Sequence, residues 1–180
     1  MKKFLTLAAF LWASCTISFA KPDPIDIEYG PWITNVSETS VTILWTTATD
    51  NLGWVELAED GSSAWKKSDP KKYYQVFAGR WMFGKMHSVT IDGLNKGTTY
   101  RYRIYGRKLV DGSEPQDMVF GAEKYTEKVF KFKTFDSSAP ECHFSQVNDI
   151  HLDLAGYETL ANQIDAKSTD FFLLNGDITS

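Results

Sequence analysis

The chain has 180 residues, 43% hydrophobic and 23% charged, with a net charge of −4 and a pI of about 5.4. That acidic balance argues against a nucleic-acid partner, which needs a basic footprint. The length suffices for one packed sandwich core and a smaller second unit.

Residues 1–20 read as a signal peptide. Lys2 and Lys3 form a positive start, an apolar run follows, and Ser18 and Ala20 put small residues before Lys21. The apolar run is too short and too interrupted to be a transmembrane helix. Ala13-Ser14-Cys15 also resembles the end of a lipobox, with Trp12 where that motif has Leu, so a lipid anchor at Cys15 is the alternative. On either route the chain is expected to be exported: secreted or periplasmic, or anchored at the cell surface. Loss of residues 1–20 removes Lys2 and Lys3 and takes the net charge from −4 to −6. It also leaves Cys142 as the remaining thiol, with no intramolecular disulfide to form despite an oxidising compartment.

Residues 25–135 predict an all-β antiparallel sandwich. Short alternating runs recur between turn signals, with no helical period. In 40–46, Val41, Ile43 and Trp45 share a face. Strands follow over 53–57, 73–77 and 87–91, and His87 is expected to be a packed or edge histidine. Residues 79–84 bracket aromatics with glycines and are expected to pack in a strand against the core. In 99–105, Tyr100, Tyr102 and Ile104 face one way and two arginines the other. Residues 107–127 read as a long loop or insertion, and 129–135 as the closing strand.

Trp45, together with Leu94, Gly97 and Tyr100 in the stretch Leu-Asn-Lys-Gly-Thr-Thr-Tyr, resembles fibronectin type III domains. There the tyrosine corner bonds back to upstream backbone. The opening run Gly30-Pro31-Trp32-Ile33-Thr34-Asn35-Val36 is similar to the N-terminal sandwich of purple acid phosphatases and their bacterial relatives.

Residues 136–140, Asp-Ser-Ser-Ala-Pro, are a linker. Beyond it the pattern changes to a single βαβ unit. A short strand spans 142–147, with Cys142 expected in the core and His143 as a packed or edge residue. A helix spans 156–166, with Tyr157, Leu160 and Ile164 on one stripe, and Asp153 is its expected cap. The apolar run 171–174 predicts a parallel strand buried on both faces. Asp149 and His151 fall just past the first strand, and Asp177, after Gly176, just past the second. Ligands bind beyond the carboxyl ends of parallel strands. Two carboxylates and an imidazole there form a candidate site for a divalent metal.

Asp149-Ile150-His151 and Gly176-Asp177 resemble the first two blocks of the calcineurin-like metallophosphoesterases. The resemblance identifies 141–180 as the start of such a domain. It implies that Asp149 and His151 bind the first of two divalent ions (Mn, Fe or Zn) and that Asp177 bridges both. It further implies that a metal-bound hydroxide attacks a phosphate ester, a phosphomonoester or phosphodiester. Purple acid phosphatases proper have Gly-Asp-x-Gly where this chain has Asn148-Asp149-Ile150-His151, and Tyr where it has Ser180. The tail therefore resembles the non-purple branch. The later histidine-bearing blocks have no counterpart in these 180 residues. No catalytic residue beyond the metal ligands is expected here, and the general acid histidine belongs to those later blocks. A truncated catalytic domain is expected to be inactive or nearly so, and to expose an aggregation-prone strand. The alternative reading is a secreted β-sandwich module for binding or adhesion, with a vestigial tail.

Overall fold

Alternating apolar residues between Ser40 and Glu59 build one 20-residue strand, where two were expected. A computed structural model of the chain describes residues 25–61, 71–112, 117–151, 153–165 and 168–176. Residues 1–20, including Cys15, and the candidate ligand Asp177 lie outside the described residues. The chain divides into two compact units, one ending at Thr134 and the next beginning at Phe135.

The first unit is an antiparallel sandwich built on β2 (Ser40–Glu59). Its first half pairs with β1 (Ile27–Thr34) and β6 (Phe83–Asp92). Its second half pairs with β3 (Lys72–Tyr74) and β7 (Thr99–Asp111). The register shifts between Thr46 and Asn51, where the strand passes from one layer to the other. The turn-like residues at 47–51 therefore mark a bend in one strand rather than the end of one. There Thr47 Oγ1 donates to the Thr49 carbonyl at 2.8 Å and keeps the bent backbone satisfied. β8 (Val119–Tyr125) and β9 (Phe130–Lys133) complete the second layer against β7.

The core lies between the layers. Val41, Ile43 and Trp45 are fully buried there, as the alternation predicts, and meet Val55, Ile91 and Ile104. Tyr100 and Tyr102 stack on Phe132 and Phe130 across β7 and β9, with ring centroids 5.5 and 5.3 Å apart. The Asn95 backbone N–H donates to the Tyr100 phenol oxygen at 2.8 Å, which is the expected corner, with the phenol as acceptor.

Two sandwich expectations fail. Residues 107–127 are not mainly a loop: β7 runs on to Asp111, and β8 pairs back with Tyr105 opposite Tyr125. Residues 79–84 do not pack into the core. Val76–Phe77 (β4) and Arg80–Trp81 (β5) form a small exposed hairpin.

In the second unit, β10 (Phe144–Asn148) and β11 (Phe171–Asn175) pair in parallel, with α1 (Leu154–Ala161) between them in sequence. Asp153 caps α1, its Oδ1 accepting from the Gly156 N–H at 2.9 Å. The helix ends at Ala161 rather than 166, so Ile164 lies beyond it. Cys142 is exposed, not in the core, and precedes β10. His143 also precedes the strand and is exposed, with Nε2 3.2 Å from Glu141. Phe171 and Phe172 are half-buried and Leu173 and Leu174 exposed, so the run is not covered on both faces. Among the described residues, no helix is long and apolar enough to cross a membrane.

Candidate metal centre

Parallel pairing sets the position of the candidate ligands. Asn148 on β10 is in register with Asn175 on β11, so Asp149 and Gly176 are the next residues off each strand. A long hydrogen bond, from Asp149 N–H to the Gly176 carbonyl at 3.4 Å, links the two exits. Gly176 has φ +72°, the left-handed conformation that glycine adopts without steric cost.

Asp149 and His151 also hold left-handed backbone, at φ 59° and 45°. For residues with a side chain this costs on the order of 1–3 kcal/mol each, and such strain clusters at functional sites. The result is a sharp turn that brings two alternate side chains together. His151 Nε2 lies 2.6 Å from Asp149 Oδ1, and both side chains are exposed. Two ligands of one ion with bonds near 2.0–2.2 Å sit about 3 Å apart, so a small opening of this pair would admit a metal. An anionic oxygen with an imidazole nitrogen suits Mn, Fe or Zn. Among the described residues, no three His, Cys, Asp or Glu side chains converge as a metal site. The structure brings Asp149 and His151 together, and Asp177 is not described.

The carboxylate nearest in sequence, Asp153, is committed to its helix cap, as expected. An open groove of about 440 Å³ runs along β10 past His143, Ser145, Gln163 and Asp165 and touches neither Asp149 nor His151. It lies between β10 and the residues Leu160, Gln163, Ile164 and Asp165, away from Asp149 and His151.

Sequence reading missed a second constellation, on the outer face of the sandwich. Trp81 stacks on Tyr74 (4.3 Å), Tyr74 meets Trp54 (5.6 Å), Trp54 stacks on Tyr105 (5.6 Å), and Tyr105 meets Tyr125 (5.5 Å). Glu56 is buried beneath this row and accepts from Trp54 Nε1 at 3.4 Å. Desolvation raises its carboxyl above the usual range, opposed by hydrogen bonds from Tyr105 and Trp54 and by the charge of Lys72. Burial pushes the Tyr105 phenol up to about 12. The available signal was the period-2 alternation of 53–57, which sends Trp54 and Glu56 to the face opposite Val55.

Residues 30–134, more than half of the chain, match the family described as purple acid phosphatase, N-terminal domain. Among solved structures the chain is similar to the sensor domain of the anti-sigma factor RsgI4 of Pseudobacteroides cellulosolvens. Identity is 18%, covering 63% of this chain and 96% of that one, with a TM-score of 0.36. It is also similar to the sixth fibronectin type III domain of human fibronectin type III domain containing protein 3. Identity is 22%, covering 68% of this chain and 93% of that one, with a TM-score of 0.34.

Proposed function

The chain belongs to the purple acid phosphatase N-terminal domain family, and from that premise we propose that it serves metal-dependent hydrolysis of phosphate esters. In this reading the fibronectin type III-like sandwich carries the opening βαβ unit of a metallophosphoesterase domain. The observation that supports it is the Asp149–His151 pair, held by two left-handed residues at the exit of β10 and bonded across to the exit of β11.

The bound metal supplies charge neutralisation of the phosphoryl oxygens and a lowered pKa for its water. Asp149 offers a charged oxygen and His151 a neutral nitrogen on one edge of the site. Asp177, one residue beyond the Gly176 turn, is the proposed third ligand. Three ligands are half of a two-metal site. The remaining ligands and the general acid fall, by the family resemblance, in blocks these 180 residues do not contain. The chain by itself is therefore proposed to bind a divalent ion weakly and to turn over a phosphomonoester or phosphodiester little, if at all. An exported location, resting on residues 1–20, is part of the same reading.

Calorimetric titration of the full chain with Mn²⁺ and with Zn²⁺ tests it. Outer-sphere changes alone cost metal sites roughly 10–100-fold, so Asp149→Ala and His151→Ala should each weaken binding at least about tenfold. Equal metal affinity in the parent and both variants would remove the basis of the proposal.

A further inference from the structure

From Lys71 to His87 the chain carries Lys71, Lys72, Arg80 and Lys85 and no Asp or Glu, although the whole protein has a net charge of −4. This stretch forms β3, the β4–β5 hairpin and the start of β6. The hairpin turns on Ala78 and Gly79, at φ 48° and 76°, the pair of left-handed residues that a tight two-residue turn requires. Met82 N–H donates to the Gln75 carbonyl at 2.9 Å and closes its base. Gln75 Oε1 accepts from the Ser88 N–H at 3.0 Å and ties it to β6. The projection is thus braced, yet its large side chains face water. Phe77 is 72% exposed, Trp81 60% and Val76 57%, and Met86 on β6 is 72% exposed. Trp81 is supported on one side by Tyr74. Val76 pairs with Trp81 and Phe77 with Arg80, so exposed apolar side chains project from both faces of one narrow tip, with Arg80 among them. Apolar exposure concentrated on one projection marks an interaction site rather than scattered exposure.

We infer that the β4–β5 hairpin docks on an anionic lipid surface. Val76, Phe77 and Trp81 enter the boundary between headgroups and acyl chains, and Lys71, Arg80 and Lys85 meet the lipid phosphates. Aromatic side chains favour that interfacial depth, and each Lys or Arg adds attraction to a negative leaflet. A sugar-binding platform would need amide or carboxylate partners for hydroxyl groups. The hairpin has no Asp, Asn or Glu, and the side-chain Oε1 of Gln75 already accepts from the Ser88 N–H. Of the neighbouring acids, Glu123 lies 3.6 Å from Lys72 and 3.7 Å from Arg107. Asp50 is exposed next to Asn51, which pairs with Gly84, and is the acid flanking the site on β2. This inference does not depend on the metal reading.

Co-sedimentation of the full chain with phosphatidylcholine vesicles, with and without phosphatidylglycerol, tests it. The chain should favour the anionic vesicles, less so as salt rises. The variant Phe77→Ser/Trp81→Ser and the variant Arg80→Glu/Lys85→Glu should each partition at least about tenfold less. All these positions are exposed, and an unchanged thermal transition confirms that the variants fold. Equal binding to neutral and anionic vesicles, or variants that bind like the parent, overturns the inference. So does a parent that ignores vesicles but is retained by an insoluble polysaccharide through Phe77 and Trp81.

Discussion

His87 shows how a single buried group sets a condition on the whole sandwich. It is 1% exposed on β6 and stacks on Trp45, with ring centroids 4.7 Å apart and 16° between planes. Its Nε2 lies 3.2 Å from Thr47 Oγ1. Gly53 stands opposite because nothing larger fits: a Cβ there would come 2.7 Å from Trp45 Cζ2 and 2.9 Å from His87 Nδ1. Burial disfavours the charged imidazole and lowers its pKa from 6.5 to about 4. The unfolded chain therefore binds more protons between those two values, and stability falls as pH drops through that window. Below about pH 4 both states are protonated and the full cost, about 3 kcal/mol, has been incurred. Urea unfolding at pH 7 and pH 4.5 should show this loss. His87→Phe keeps the stacked ring without a titrating nitrogen, and its stability should change less over the same interval. Parallel pH profiles for parent and variant would show that His87 is not the group responsible.

At the scale of elements, β11 makes the sharpest demand on its surroundings. Phe-Phe-Leu-Leu is a strand composition suited to cover on both faces, and Leu173 and Leu174 are 41% and 46% exposed, with Phe144 at 56% on the neighbouring β10. Exposed apolar strands of this kind template association with other chains. Leu173→Lys/Leu174→Lys should remove the tendency and leave the sandwich's thermal transition in place. Light scattering on warming measures the first effect, and equal scattering by parent and variant would place the association elsewhere. The element also shows what a local pattern can convey. The apolar run announced a parallel strand, and a parallel strand is present, but how much of it is covered depends on neighbours that no run of four residues specifies. Similarly, alternation announced the inward faces of β2 and β7. It missed β8, because Gly121, Glu123 and Lys124 interrupt the apolar signal and the strand is held by pairing with β7 instead. Asp149 and His151 were legible as candidates from their spacing after a strand. Their left-handed backbone was not, since it follows from the turn that brings them together.

For the whole molecule, the chain divides at Thr134 and Phe135 into two compact units, and their burial predicts different stabilities. Among the described residues, the core of the first unit draws on positions from Ile25 to Phe132. Thr134 closes the lower end by donating from its hydroxyl to the Asn95 carbonyl at 2.7 Å and accepting from the Thr98 N–H at 2.9 Å. Among its described residues the second unit has an eight-residue helix and two five-residue strands, and Phe144, Leu160, Leu173 and Leu174 are exposed. A sandwich of this size buries most of what it needs, whereas a unit of under 50 residues is marginal alone. A chain ended after Pro140 should therefore keep its β-sheet circular dichroism. It should unfold cooperatively within a few degrees of the main transition of the full chain, since a loss of about 1 kcal/mol would shift a domain of this size by roughly 4–8 °C. It should lose any metal binding that depends on Asp149 and His151. A shortened chain that is unfolded at room temperature would mean that the sandwich depends on the segment after Pro140 for its stability, and that the two units cannot be treated as separate folding entities.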